Sequence, residues 1–144
     1  MDANIKRSII LDNYQDAKNR GIPDKLDGYI KINSNNDSCI DNIDIFVKLN
    51  DDLIEDVKFE GEACVIAISS SSILSDLLIG KRISEVDNIL KNYYNMIEEH
   101  EYDKEILGEC CVYDDIYKQP SRKTCVTLFA RGIEKVISDK RNDI

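Results

Sequence analysis

The stretch that decides the fold is IDIFVKLNDDLIEDVKFEG, residues 43–61. Apolar side chains stand at every second position from Ile43 to Leu49, which is the period of a half-buried strand. The polar run 50–52 is a turn signal, and Leu53–Glu60 predicts a second strand that ends at Gly61. Because the turn between them is so short, these two strands are predicted to form an antiparallel hairpin.

The segments around this hairpin predict one more strand and several helices. A short strand is expected at residues 29–32, followed by a polar turn at residues 33–38. Ser84 with Asp87 resembles a capping box at the start of a helix. Helices are predicted at residues 2–20, 64–79, 84–99 and about 121–138, with an irregular region at 102–118. This order predicts an α+β fold in which helices pack on one face of a small three-stranded antiparallel sheet, as a single domain over residues 1–144.

Composition narrows the function classes. The net charge is −9 and the acids are spread along the chain, which argues against nucleic-acid binding. No apolar run reaches the roughly 20 residues of a membrane helix, so no membrane association is expected. The polar start Met1–Arg7 does not resemble a signal peptide, and a cytoplasmic location is expected. Five cysteines in a reducing compartment indicate metal binding, redox chemistry or burial rather than disulfides.

Three of the five cysteines stand where predicted elements begin or end. Cys39 lies on the loop before the hairpin with Asp41 two residues later, Cys64 opens the second helix, and Cys125 lies in the first turn of the last helix. Zinc accepts thiolate sulfur and carboxylate oxygen in a tetrahedron, so these four residues could form one metal site. The spacing alone leaves another interpretation open, because no CxxC pair is present and cysteine is often simply a buried apolar residue.

Such a site would carry four ligand charges against the two of zinc. Arg122 and Lys123, just before the last cysteine, could offset the excess negative charge. We therefore include both basic residues in the candidate site as supporting groups.

Three segments resemble the U-type iron–sulfur assembly family, which comprises IscU, the NifU N-terminal domain and SufU. They are residues 36–41, which resemble its Asn-Pro-x-Cys-Gly-Asp loop, residues 61–72, which resemble its Gly-x-Gly/Ala-Cys segment and serine-rich helix, and residues 122–129 around its third cysteine. The SufU branch is the most similar, because Thr124 stands where IscU proteins carry histidine and residues 102–120 resemble the SufU insertion. The loop departs from the family in Asp37 and Ile40, which stand at its proline and glycine positions.

The resemblance implies a zinc-dependent sulfurtransferase that takes persulfide sulfur from a pyridoxal-phosphate cysteine desulfurase and serves downstream iron–sulfur assembly proteins. Cys39, on a polar loop, is the expected persulfide acceptor. Cys64 and Cys125 are expected to anchor the metal, and Asp41, a hard ligand among thiolates, to be the least firmly held. Two alternatives stay open: a scaffold that holds an iron–sulfur cluster on the same residues, and a non-catalytic binding module that zinc stabilises.

Two further features have plainer explanations. Cys110 and Cys111 lie in the insertion and are expected to be exposed or partly buried thiols, with an auxiliary sulfur relay as the alternative. His100, at a predicted helix end, is expected to be a solvated side chain.

Overall fold

The computed structural model describes residues 1–36 and 40–142. Three strands, β1 (Tyr29–Asn35), β2 (Asn42–Asn50) and β3 (Leu53–Glu62), form one antiparallel sheet in the order β1-β2-β3. The hairpin is confirmed: Asn50 pairs with Leu53, and Asp51 takes a positive φ of 55° in the turn. The predicted α+β fold with a three-stranded antiparallel sheet is therefore confirmed.

Six helices accompany the sheet in the described part of the chain. They are α1 (Ala3–Gln15), α2 (Val65–Leu78), α3 (Ile83–Ile97), α4 (Lys104–Leu107), α5 (Lys123–Val126) and α6 (Leu128–Asn142). Two short 3₁₀ segments, Gly108–Tyr113 and Ile116–Lys118, lie in the region that was predicted to be irregular, and a third, Pro120–Arg122, follows it. Within the described residues, no helix combines the length and the apolar character needed to cross a bilayer.

Two predicted boundaries in the first part of the chain are wrong. Strand β1 extends through residues 33–35, where a turn was predicted, because these residues pair with residues 42–44 of β2. Helix α1 ends at Gln15 rather than near residue 20. The following residues are held by other elements: the Lys18 amide donates to Ser72 Oγ at 2.8 Å, and Arg20 bridges to Phe59 of β3.

Two predicted boundaries in the second part are also wrong. Helix α3 begins one residue before Ser84, and its first turn is capped by Glu85 Oε1, which accepts from the Arg82 amide at 3.1 Å. The predicted last helix is two helices, because the backbone leaves helical geometry at Thr127 (φ −100°, ψ 1°). Thr127 Oγ1 donates to the Lys123 carbonyl at 2.7 Å across this break. A local side-chain cap therefore sets the start of α3, and a local side-chain bond spans the break between α5 and α6.

Helices α2 and α6 pack against the sheet and enclose the core. The largest fully buried side chains include Phe59 of β3, Leu74 of α2, Tyr93 of α3 and Phe129 of α6. Gly132 lets α6 approach the sheet closely, since a Cβ there would lie 2.4 Å from Ile45 Cδ1. This close packing brings the N-terminal end of α6, and α5 before it, to the edge where the candidate site lies.

The serine run of α2 lies where α1 packs against this helix. Residues 69–72 are fully buried, and their hydroxyls all have hydrogen-bond partners. Ser72 donates to Asn13 Oδ1 of α1 at 2.7 Å, and Ser69 bonds the Tyr113 hydroxyl at 2.5 Å. Satisfied hydroxyls carry no desolvation penalty for unmade bonds, so α2 can be both polar and central.

Candidate metal centre

The structure brings three of the four candidate ligands together. One potential ligand atom each of Asp41, Cys64 and Cys125 lies within 4.8 Å of the others. Tetrahedral zinc with thiolate ligands places neighbouring sulfur atoms about 3.8 Å apart, so small side-chain movements would bring this cluster to ligand spacing. Cys39, the fourth candidate, lies outside the described residues. The donor set of two thiols and a carboxylate therefore fits three corners of a zinc site.

The sheet register explains why these residues meet. Asn42 pairs with Glu62 at the end of the β2–β3 ladder, so Asp41 and Cys64 lie near each other just beyond that end. The third ligand comes from the other side: Ser34 Oγ near the end of β1 donates to the Leu128 carbonyl at 2.7 Å. This bond anchors the junction of α5 and α6, and with it Cys125, beside the same sheet edge.

Asp41 is fully buried and both of its carboxylate oxygens are engaged. Oδ1 accepts from the Cys64 amide at 2.8 Å, while Oδ2 accepts from Asn36 Nδ2 at 3.3 Å and lies 3.8 Å from Cys64 Sγ. A buried carboxylate is tolerated only when it is hydrogen-bonded or paired with a cation. Oδ2, which faces the thiol, is therefore the oxygen placed to share a cation with it.

Cys64 is the N-cap residue of α2. Its backbone is extended (φ −70°, ψ 170°), and Sγ accepts from the Ala67 amide at 3.5 Å. Cys64 thus occupies the place that a serine or aspartate cap would take, with a thiol instead.

Cys125 is only 5% exposed. Burial, together with the neighbouring Cys64 and Asp41, raises the pKa of this thiol from its ordinary value of 9.0 to about 12. In the metal-free protein the thiol therefore keeps its proton at neutral pH. A cation among the three groups would reverse this effect, because it favours the thiolate.

Two polar residues that the sequence analysis did not select complete the surroundings. Arg131 Nη2 donates to Asn36 Oδ1 at 2.5 Å and to the Thr124 carbonyl at 2.7 Å. Asn36 belongs to the loop segment that resembles the family motif, which was a usable signal. Arg131 stands six residues after Cys125 with no local pattern to distinguish it.

The two basic residues selected from the sequence lie next to Cys125 with different surroundings. Arg122 is exposed at the end of the last 3₁₀ segment. Lys123 is partly buried, and its Nζ pairs with Glu98 Oε2 at 3.1 Å. Ile40, at the family's glycine position, is 76% exposed, so its side chain needs no room inside the protein.

The prediction of exposed or partly buried thiols is wrong for Cys110 and confirmed for Cys111, and the prediction of a solvated His100 is confirmed. Cys110 is fully buried in the core, where burial raises the pKa of its thiol well above the ordinary value. Cys111 is partly buried, and its Sγ lies 3.7 Å from the Lys104 carbonyl. His100 is exposed just after α3.

The molecule is an α+β protein in which two thiols and a carboxylate meet at one edge of the sheet and form a candidate metal site. The chain belongs to the family described as the NifU-like N-terminal domain, whose model matches residues 5–126. It is 35% identical to the zinc-dependent sulfurtransferase SufU of Bacillus subtilis, over 92% of this chain and 88% of that protein. It is 31% identical to the iron–sulfur cluster assembly scaffold protein IscU of Thermotoga maritima, over 89% of each chain.

A solved structure supports the same relationship. The crystal structure of FiSufU from Fervidobacterium islandicum, described as a candidate iron–sulfur cluster assembly scaffold protein for the SUF system, superposes with a TM-score of 0.81. It is 29% identical, and the match covers 88% of this chain and 91% of that one. The family resemblance inferred from the sequence is therefore confirmed.

Proposed function

We propose that this protein is a zinc-dependent sulfurtransferase that accepts persulfide sulfur from a pyridoxal-phosphate cysteine desulfurase for iron–sulfur cluster assembly in the cytoplasm. The observation that carries this proposal is the cluster of Asp41, Cys64 and Cys125, in which Asp41 stands two residues after Cys39 in the sequence. The similarity to a protein named as a zinc-dependent sulfurtransferase supports the choice of metal and reaction.

Cys39, Asp41, Cys64 and Cys125 would hold the zinc ion. When bound, zinc keeps thiols deprotonated at neutral pH and shields them from oxidation. Cys64 and Cys125, at an N-cap and in a buried helical turn, are suited to anchoring. Asp41 is held by the Cys64 amide through one oxygen and presents the other to the site.

The transfer step needs a thiolate that is not bound to metal, and we assign it to Cys39, which would leave the ligand set before it reacts. Its sulfur attacks the outer sulfur of the desulfurase persulfide, so that a new S–S bond forms as the old one breaks. The electron pair of the broken bond leaves on the desulfurase cysteine as thiolate, and Cys39 becomes the persulfide. Sulfur moves without net oxidation or reduction, and no further reactant is needed. Arg122 and the neighbouring Lys123 are proposed to contact the partner or to balance charge at the site.

A scaffold that assembles an iron–sulfur cluster is the second candidate. It is favoured by the similarity to proteins named as IscU scaffolds, and the same cysteines and aspartate could hold a cluster. A non-catalytic zinc-stabilised module would share the metal but leave a desulfurase unaffected.

One experiment separates the three roles. The protein is purified under anaerobic conditions without added metal, its zinc, iron and acid-labile sulfide are measured, and it is then titrated into a cysteine desulfurase while alanine formation is followed. About one zinc per chain, no sulfide and faster alanine formation are expected. Iron with sulfide would make the scaffold the better assignment, and zinc without stimulation would leave the binding module.

Zinc binding should release protons, because the Cys125 thiol is protonated in the metal-free protein. Its pKa of about 12 lies far above neutral pH, so this proton is still present throughout the range in which binding can be measured. Loss of this one proton should therefore lower the apparent Kd for zinc about tenfold for each unit by which the pH is raised. Competition with a chromophoric chelator between about pH 6.5 and about pH 8.5 measures the slope, and a pH-independent Kd would contradict the assignment of Cys125 as a thiolate ligand.

A further inference from the structure

We infer that Arg131 and Asn36 form a positioning clamp that holds Asp41 at a set separation from Cys125 and thereby determines the metal affinity of the site. The inference rests on the proposed metal-binding function and extends it to two residues outside the ligand set. It follows from a chain of hydrogen bonds that connects α6, the Asp41 loop and the turn that carries Cys125.

Asn36 is the centre of the clamp and uses its whole side-chain amide. Nδ2 donates to Asp41 Oδ2 at 3.3 Å and to the Thr124 carbonyl at 3.2 Å, while Oδ1 accepts from Arg131 at 2.5 Å. The side chain is 8% exposed, and the Asn36 amide also donates to the Asp41 carbonyl at 3.0 Å. A buried amide with every bond made has one orientation, because rotating it would leave polar atoms unsatisfied.

Arg131 fixes that orientation from α6. Nη2 bonds both Asn36 Oδ1 and the Thr124 carbonyl, and Nε donates to Thr127 Oγ1 at 3.2 Å. Thr127 in turn donates to the Lys123 carbonyl. The rigid guanidinium fork therefore ties the loop of Asp41 to residues on both sides of Cys125, through the Thr124 carbonyl before it and the Thr127 side chain after it.

The clamp also brings positive charge towards a site rich in negative charge. Three thiolates and a carboxylate would exceed the charge of zinc, and the guanidinium reaches Asp41 through a single amide. Groups that orient a metal ligand from outside typically change metal affinity by about 10- to 100-fold when they are removed. Arg131 and Asn36 are thus positioning residues, and neither needs to touch the metal.

The test compares Arg131→Met, which keeps the apolar stem but removes the fork and the charge, with Arg131→Lys, which keeps the stem and the charge but removes the fork. Asn36→Ala removes the connecting amide. Arg141→Met is the matched control, since Arg141 lies on the same helix and pairs with Asp87. Zinc affinity is measured by chelator competition, and the absorption spectrum of the cobalt-substituted protein reports ligand geometry. Circular dichroism of the metal-free variants reports their folding.

We expect zinc affinity to fall about 10- to 100-fold in Arg131→Met and Asn36→Ala, with an altered cobalt spectrum, while Arg141→Met matches the unaltered protein. Arg131→Lys should recover part of the affinity without restoring the spectrum. Unchanged affinity and spectrum in folded Arg131→Met and Asn36→Ala would overturn the clamp and leave the metal assignment intact. Failure of the unaltered protein to bind zinc would overturn the metal assignment and the clamp with it.

Discussion

Replacing Cys39 by alanine is expected to reduce the stimulated turnover of a cysteine desulfurase to its basal rate. The other two cysteines of the candidate site cannot substitute, because Cys125 is 5% exposed and Cys64 is engaged as the cap of α2. Without an acceptor thiolate no new S–S bond can form, and the desulfurase persulfide has nowhere to transfer its outer sulfur. The measurement is alanine formation with excess cysteine and increasing amounts of the variant.

Cys111→Ser is the control for this experiment. Cys111 is a partly buried thiol of the Gly108–Tyr113 segment, separate from the cluster of Asp41, Cys64 and Cys125. Its replacement should leave stimulation unchanged. Full stimulation by Cys39→Ala would refute Cys39 as the acceptor, and loss of stimulation in Cys111→Ser would instead support a relay through the insertion.

Gly61→Ala is expected to destabilise the protein more than alanine at any other glycine of the described residues. Gly61 has a φ of 151°, and a Cβ there would lie 2.2 Å from the Asn42 carbonyl oxygen and 2.8 Å from Ile43 Cα. These are backbone atoms of β2, so they can move only if the β2–β3 pairing opens. Backbone strain and overpacking together predict a loss of about 3 kcal/mol in the free energy of unfolding.

Urea denaturation of the unaltered protein and of the Gly61→Ala variant measures this loss in the free energy of unfolding. Gly80→Ala is the matched control, since Gly80 also has a positive φ of 85° but no atom lies within 4 Å of its added Cβ. It should lose only about 1 kcal/mol, from the backbone conformation alone. Equal losses in both variants would show that the close contact with β2 contributes nothing.

Because Gly61 pairs with Ile43 beside the site, its substitution should also weaken metal binding. Asp41 and Cys64 follow directly from the end of this ladder, and the Asp41–Cys64 bond of 2.8 Å depends on its register. The stability of the hairpin and the spacing of the ligands are therefore consequences of the same strand pairing.

The sequence by itself determined the hairpin, the α+β class and the residue types of the site. The alternation from Ile43 to Leu49 has the period of a strand, and local turn signals specify where it reverses. The family resemblance came from contiguous segments around Cys39, Cys64 and Cys125 and needed no knowledge of distant contacts.

Tertiary structure decided what those local signals could not. Residues 33–35 have turn-forming side chains but become strand, because β2 supplies their hydrogen-bond partners. The break at Thr127 and the early end of α1 likewise depend on what surrounds them. Local propensity differences are small, and contacts with other elements override them.

The clamp of Asn36 and Arg131 shows most clearly what could not be predicted from the sequence alone. Asn36 and Arg131 are 95 positions apart, and their 2.5 Å bond exists only because α6 packs across the sheet through Gly132. No periodicity or local motif relates the two residues. The sequence determined which atoms could bind a metal, whereas packing determined which of them meet and what holds them in place, because separations between distant residues are set only when the chain closes around its core.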